Sequence, residues 1–496
     1  MGSSDRVLWW SAFAGLAVLT FLWALALPLF ASPDEPAHAV RAAALARGQV
    51  VGQEVSPTSP STRVQVPRSL ADGHNACFAF HPDRPATCQP PVSSSTALRP
   101  ATTYVGHYPP LYYVPVGLAG RIAGGAHEAR LQRLGGALAC AALLASAVVS
   151  LRSWRQGRAA AGLALAISPM ALFLAGTVNP SGLEVAAAIC LWVTALPLLQ
   201  APALASRRLA VRAAVAASAL ALTRPMSPLW LACIGLVVLV VTPWPALREA
   251  VRIRRVQVAG LAAGLAPVLA VTWVLAVDAL RVVPSSDPRR PAGLGLAVQT
   301  ALSSTDDRIH QMIGNFGWLD TPAPAWTVYV WLLCLGALVV PALAARPARR
   351  AVAVGLLVLL TLAVPVAIEA SQAGRLGYIW SGRYTLPLAA GLPVVAAWAL
   401  RGRDRRLDVT VVVLAATAQV WAFVTALSRY TVGLGHQDLG LLHPVWSPVL
   451  PPLLLVSLYA LATCALGGLL LAATADRSES DVPRDDRTGA QVVTAV

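Results

Sequence analysis

The sequence predicts an all-α polytopic membrane protein of about twelve transmembrane helices, with its chemistry gathered in loops on one side. Three observations predict it. Hydrophobic residues make up 56% of the 496 positions and charged residues 12%, against about a quarter charged in soluble domains. Apolar runs near the length of a bilayer crossing recur along the whole chain. The loops between them alternate between short arginine-rich segments and longer segments of mixed charge.

The runs are 7–30, 130–151, 159–178, 182–202, 209–223, 228–244, 256–279, 325–344, 351–369, 384–400, 408–427 and 450–473. The first is longer than a signal-peptide core and ends without a small-x-small cleavage site, so it is expected to be an anchor. The arginine-rich loops read RSWRQGR, SRRLAVR, REAVRIRR, ARPARR and RGRDRR. The positive-inside rule assigns them to the cytoplasm, which puts both termini there. The chain contains no lysine, and its net charge of +15 resides in these clusters. That distribution argues against a nucleic-acid partner, whose binding face would be one continuous basic patch. Residues 1–473 are expected to form one transmembrane domain, and the polar, acidic segment 474–496 a disordered cytoplasmic tail.

The other side carries the long loops, at 31–129 and roughly 280–324, 370–383 and 428–448. The ionisable residues Glu184, Asp278 and Arg224 fall at the same ends of the predicted helices. Cys77 and Cys88 lie together in the first loop, and outside the cytoplasm a disulfide between them is expected. Cys140, Cys190, Cys233, Cys334 and Cys464 lie in apolar runs and read as small core residues. No metal-ligand spacing is present, and neither a metal nor another cofactor is expected.

The first loop opens with SPDEPAHAVRAAALARG. One reading is a capping box, with Ser32 at the N-cap, Pro33 at the first helical position and Glu35 at the third. That reading leaves Asp34 without a task, and Pro36 disfavours a helical Glu35. The other reading makes Asp34 or Glu35 a base at the membrane surface. His38 would lie one turn from Asp34, and desolvation would raise the carboxyl pKa and strengthen the base. Further on, HYPPLYYVP reads as an interfacial helix. Tyr112 and Tyr113 would sit in the aromatic belt, and His107 and Tyr108 would be available to a ligand.

Four more points face the same side. In AGTVNPSGLE, Asn179 and Glu184 either form a turn or line a cavity. Arg224 sits between two short apolar runs, where it must snorkel or pair. Asp320 either caps the span that follows or contacts substrate. Arg383, followed by Tyr384, enters a span from the side where arginine is disfavoured, with Arg375 shortly before it. Arginine at headgroup level suits either a lipid headgroup or a substrate phosphate.

SPDEPAHAVRAAALARG, HYPPLYYVP, VNPSG, GWLD and SGRYTLPL occur in the order seen in DUF2142, an actinobacterial and wider bacterial family of membrane proteins. The resemblance runs from about residue 8 to residue 473, and PDEPAH and GRYTLPL are its most specific pieces. The family in turn looks like the GT-C superfamily of membrane glycosyltransferases, which includes protein O-mannosyltransferases and the aminoarabinose transferases of lipid A. The resemblance implies a many-helix bundle with an acidic pair at the start of its first loop, matched here by Asp34 and Glu35. It also implies a PPL-type interfacial segment, matched by Pro109 to Leu111. No large soluble domain is inserted between spans, which removes the analogy to a protein acceptor.

The implied activity is transfer of a sugar from a polyprenyl-phosphate donor to a glycan, lipid or protein of the cell envelope, on the extracytoplasmic face. Asp34 or Glu35 would be the base, with His38, His107, Tyr108, Asn179, Asp320 and Tyr384 around the substrates. Arg383, Arg224 and Arg375 would hold the leaving phosphate. A single base without a covalent step implies inversion. The alternatives are a flippase or transporter of lipid-linked sugars and a non-catalytic scaffold. A transporter is often built from inverted repeats with midplane charges, and the sequence displays neither.

Overall fold

The computed structural model describes residues 3–56, 59–71, 76–154, 158–281, 291, 293–400, 402, 404–436 and 438–475. The tail expected to be disordered lies outside the described residues from position 476 onward. Among the described residues the chain is mostly helical. In chain order the helices are α1 (Ser3–Ala26), α2 (Glu35–Leu45), α3 (Arg68–Ala71), α4 (Tyr113–Arg121), α5 (Glu128–Ser150), α6 (Ala159–Ala166), α7 (Pro169–Ala175), α8 (Pro180–Gln200), α9 (Arg207–Ala221) and α10 (Ser227–Val241). They continue with α11 (Trp244–Ala250), α12 (Arg254–Ala276), α13 (Leu294–Ser303), α14 (Thr305–Gly314), α15 (Ala325–Ala342), α16 (Ala348–Leu376), α17 (Gly382–Ala389), α18 (Gly391–Ala399), α19 (Arg405–Thr431) and α20 (Pro452–Ala475).

Every one of the twelve apolar runs is helical, but among the described residues eight helices are long and apolar enough to cross a membrane: α1, α5, α8, α12, α15, α16, α19 and α20. The other four runs fall short for two physical reasons. Helices α9 and α10 have 15 residues each, a rise of about 22 Å against a hydrocarbon core of about 30 Å. The runs 159–178 and 384–400 are broken into α6/α7 and α17/α18. The first break falls at Ser168, which is extended before Pro169 and caps α7 by accepting the Ala171 N–H at 3.3 Å. The second falls at Ala390, because Pro393 has no N–H to give the Ala389 carbonyl, and Gly391 beside it lets Trp192 approach, an added Cβ there lying 2.3 Å from the ring.

Trp23 is the hub of the core. It is fully buried, donates its indole N–H to Tyr459 Oη at 3.1 Å, and makes edge contacts with Phe173 and Phe423. Phe316 packs on it at a tilt and Tyr459 stacks on Phe423, so α1, α7, α19 and α20 meet at one point.

The first loop folds into a cap. Strands β1 (Gln53–Glu54), β2 (Thr62–Pro67) and β3 (Leu98–Thr103) form an antiparallel sheet, with Thr62 opposite Thr103 and Pro67 opposite Leu98. Helix α2 is packed by this sheet, α4 and α5, and all its residues from Glu35 to Leu45 are buried. Gly117 of α4 allows that approach: a Cβ there would stand 2.0 Å from the Ala42 carbonyl oxygen. The Cys77–Cys88 disulfide is formed in the same loop.

Several expectations are corrected here. Tyr112 and Tyr113 are buried between α2 and α5 rather than lying in an interfacial belt. Glu35 is the first residue of α2 despite Pro36, because the N–H that proline lacks would have no partner in a first turn. Cys464 is exposed on α20, on a surface that an apolar span presents to lipid. Asp320 caps no helix. It precedes the strand β5 (Thr321–Pro322), which pairs with β4 (Asn315–Phe316).

Candidate functional site

The site grows from the turn between α1 and α2. Arg133, on α5, fastens that turn. Its guanidinium donates to the carbonyl oxygens of Ala24 and Leu27 at 3.0 Å each and of Pro28 at 2.7 Å. It also holds Glu35 bidentately at 2.7 and 2.8 Å. Glu35 further accepts the backbone N–H of Val178 at 3.0 Å and of Ser32 at 3.3 Å. The carboxylate is 1% exposed, and both of its oxygens are engaged by Arg133 and backbone N–H groups. Half of the expected capping box survives in its bond to Ser32. The Ser32 hydroxyl makes no hydrogen bond.

The same turn throws Asp34 outward. Asp34 is the N-cap of α2 in the left-handed region, at φ 65°, and its side chain does not cap the helix. Phe30 is left-handed as well, at φ 66°. Aspartate tolerates that region and phenylalanine does not, so the turn stores strain of about 1–3 kcal/mol that the Arg133 clamp must hold.

Asp34 is gripped on both oxygens. Tyr104 Oη donates to Oδ1 at 2.5 Å, and Arg383 Nη2 forms an ion pair with Oδ2. The Asp34 side chain keeps 28% exposure and that of Arg383 6%. Arg383 also donates to the Pro33 carbonyl at 3.2 Å and to Tyr384 Oη at 3.1 Å. Asn179, the N-cap of α8, donates to the same Pro33 carbonyl at 3.2 Å. Tyr384 is shared between two cations, Arg383 at 5.0 Å and Arg224 at 4.6 Å from its ring centroid. Arg224 in turn donates to Ser181 Oγ at 2.9 Å and pairs with Glu184 at 3.4 Å, while Ser227 donates to Glu184 at 2.6 Å. Tyr104, Asp34, Arg383, Tyr384, Arg224 and Glu184 thus form one connected polar chain.

A cavity of about 690 Å³ adjoins this chain. Tyr104, His107, Tyr108, Glu184, Arg224 and Tyr384 line it, with Arg375 exposed at its rim. Asp34 and Arg383 lie behind the two tyrosines that bond them. Met226, Leu280 and Ile379 also line the cavity, and Leu280 and Ile379 are largely exposed. The cavity therefore has a cationic wall and an apolar lip.

Electrostatics correct one expectation. Burial pushes the Asp34 carboxyl up, but the Arg383 guanidinium first, then His38 and the Tyr104 and Arg383 hydrogen bonds, outweigh it and leave the pKa below the ordinary value. Asp34 is therefore an ionised carboxylate of reduced basicity, not the strengthened base that desolvation alone would give. His38 is pushed down to about 3, chiefly by burial and further by Arg224 and Arg383, so its ring is neutral. It meets Tyr113 Oη through Nδ1 at 2.9 Å and does not hydrogen-bond the Asp34 carboxylate. Burial and the adjacent Asp34 both push the Tyr104 hydroxyl up, so it stays a donor. Burial, followed by Arg281 and Arg41, lowers His107.

Asp320 is drawn elsewhere. It accepts the N–H groups of Phe80 and Trp318 at 3.0 and 3.1 Å and pairs with Arg429 at 3.1 Å. Arg429 also donates to the carbonyls of Phe78, His81 and Arg84, which fastens the disulfide-bonded loop to α19. Among the described residues, no three His, Cys, Asp or Glu side chains gather as metal ligands would.

Two residues of the site escaped the sequence reading. Arg133 carries a signal that was open to view, a charge inside an apolar run, where it is costly unless paired. Tyr104 follows β3, and only the register of an unforeseen sheet brings it to Asp34.

Helices of crossing length and a polar cluster at one end of the bundle define a multi-pass membrane protein. Residues 17–392 match the family model described as "Predicted membrane protein (DUF2142)", and the chain belongs to that family. Among solved structures it is similar to ArnT from Cupriavidus metallidurans bound to undecaprenyl phosphate. That match has 16% identity and a TM-score of 0.45, and it covers 96% of this chain and 78% of that one. No curated protein matches the chain.

Proposed function

We propose that this protein is a membrane glycosyltransferase that moves a sugar from a polyprenyl-phosphate donor to an envelope acceptor, with Asp34 as the base. One observation carries the reading. An ionised, partly exposed carboxylate adjoins a cavity that combines an arginine wall with an exposed apolar lip. A polyprenyl-phosphate sugar has the matching polarity, a phosphate flanked by a sugar and a long hydrocarbon chain.

In this mechanism the acceptor hydroxyl gives its proton to Asp34 as its oxygen bonds to the anomeric carbon. The bond from that carbon to the phosphate oxygen breaks on the opposite face, so the configuration inverts. The departing lipid phosphate takes the electron pair and is stabilised by Arg224 and Arg383, with Arg375 at the rim. Removing one such preorganised donor typically costs about 10²–10³ in rate. Arg383 has a second consequence. When the donor phosphate draws on its guanidinium, Asp34 loses the partner that depresses its pKa, and burial then raises it. Donor binding would thereby switch on the base.

The test uses purified protein in lipid and a panel of polyprenyl-phosphate sugars, with thermal stabilisation as the readout. One donor should stabilise the wild type and Asp34→Asn but not Arg224→Ala. Absence of stabilisation by every donor would remove the reading.

A further inference from the structure

At the end of the bundle opposite Asp34, a second cavity of about 500 Å³ opens among the N-termini of α1, α9 and α16 and the C-termini of α5, α8 and α18. We infer that this cavity is a binding site for a phosphate-bearing anion, either a lipid headgroup or a soluble phosphate. Four arginines from three elements line it, Arg152 after α5, Arg208 and Arg212 on α9 and Arg350 on α16, against one carboxylate, Asp5. Positive-inside reasoning accounts for arginines scattered at this face. It does not account for their convergence on one concavity.

The neutral lining points the same way. Gln200 Nε2 and Trp398 Nε1 are buried and make no hydrogen bond, and both residues line the cavity. A buried unpaired donor costs about 1–3 kcal/mol, and a ligand oxygen reaching either nitrogen would offset that cost. Arg152 pairs with Asp5 at 2.8 Å and donates to Ser4 Oγ at 2.8 Å. Arg212 holds Ser150 Oγ at 3.4 Å. Arg208 is exposed and has no ion pair among the described residues. The site is independent of the Asp34 cluster and of the reading proposed for it.

Two arms separate the sources. Pyrophosphate is titrated against purified protein in neutral detergent, with thermal stabilisation as the readout. In parallel, protein from vesicles of phosphatidylcholine and phosphatidylglycerol is released into native mass spectrometry, and retained phosphatidylglycerol is counted. The Arg208→Gln, Arg212→Gln double variant and the single variant Trp398→Phe are run beside the wild type. The inference expects at least one arm to respond. The half-saturating concentration or the retained lipid should change about tenfold in the double variant and severalfold in Trp398→Phe. A response to pyrophosphate alone assigns a soluble phosphate, and lipid retention alone assigns a headgroup. No response in either arm, or equal responses by wild type and Trp398→Phe, overturns the inference even if the double variant fails to fold.

Discussion

Asp34 and Arg383 are 349 positions apart in sequence and form one ion pair at the mouth of the bundle. The pair joins the start of the first loop to the start of α17. It gives Asp34→Asn a sharp expected outcome. The amide cannot take a proton, while every contact that fixes the turn through Arg133 is untouched. Turnover of the donor should fall by about 10²–10⁴, the usual contribution of a general base, and donor affinity should hold. Single-turnover rates and equilibrium binding on the same preparations separate the two.

The pH profile follows from the direction of the Asp34 shift. Its folded pKa lies below the ordinary 3.8. The ion pair therefore contributes stability above that value, and the contribution is lost as pH falls through the lower folded pKa. The acid limb of kcat/KM, which reports the free enzyme, should lie below the usual carboxylate range. In Arg383→Gln the limb should move to higher pH, because burial then acts without its counterweight. His38, with a pKa near 3, should add no inflection between pH 5 and 8. A pH–rate series on wild type and Arg383→Gln checks all three statements.

Glu35 and Asp34 should part company in stability. Glu35→Gln leaves the Arg133 guanidinium buried without its counter-charge, and breaking such a pair costs about 3–5 kcal/mol. The unfolding temperature in detergent should drop clearly. The partly exposed Asp34 should give Asp34→Asn a much smaller drop. The two neighbouring carboxylates would then be told apart by calorimetry alone.

Gly382 sits immediately before Arg383, and a Cβ there would lie 2.3 Å from the Arg308 carbonyl oxygen. Gly382→Ala should push α17 off α14 and misplace Arg383. A shift of about 1 Å can cost a hundredfold in rate. Gly260→Ala is the matched control, since an added Cβ there meets nothing within 4 Å. It should leave activity unchanged and gain up to about 1 kcal/mol in helix propensity. Activity assays and melting curves of the two variants are directly comparable.

The helical bundle was legible because each span must satisfy its own backbone hydrogen bonds in lipid, which makes hydropathy a strong guide. The span count was less legible. The stops at Ser168–Pro169 and at Ala390 split two apolar runs, and each is marked by a proline, Pro169 and Pro393, but proline inside an apolar run is tolerated by spans and does not by itself end one. At the site, Asp34, Arg224 and Arg383 stood out as charges where charge is costly. Their arrangement did not, because it depends on contacts across the chain. Glu35 looked equivalent to Asp34 until Arg133 was seen to saturate it. Asp320 read as a helix cap or a substrate contact, and its pairing with Arg429, far along the chain, leaves no local mark. The sheet that delivers Tyr104 was missed because strands of six residues or fewer in a polar loop leave little periodicity to read.

The most direct test of the account is release of polyprenyl phosphate from a panel of labelled polyprenyl-phosphate sugars, by wild type and Asp34→Asn reconstituted in lipid with envelope extract as acceptor. The account predicts that the wild type consumes one donor, with inversion at the anomeric carbon, and that Asp34→Asn binds that donor without consuming it. Equal consumption by both proteins, or none of any donor by the wild type, would contradict it.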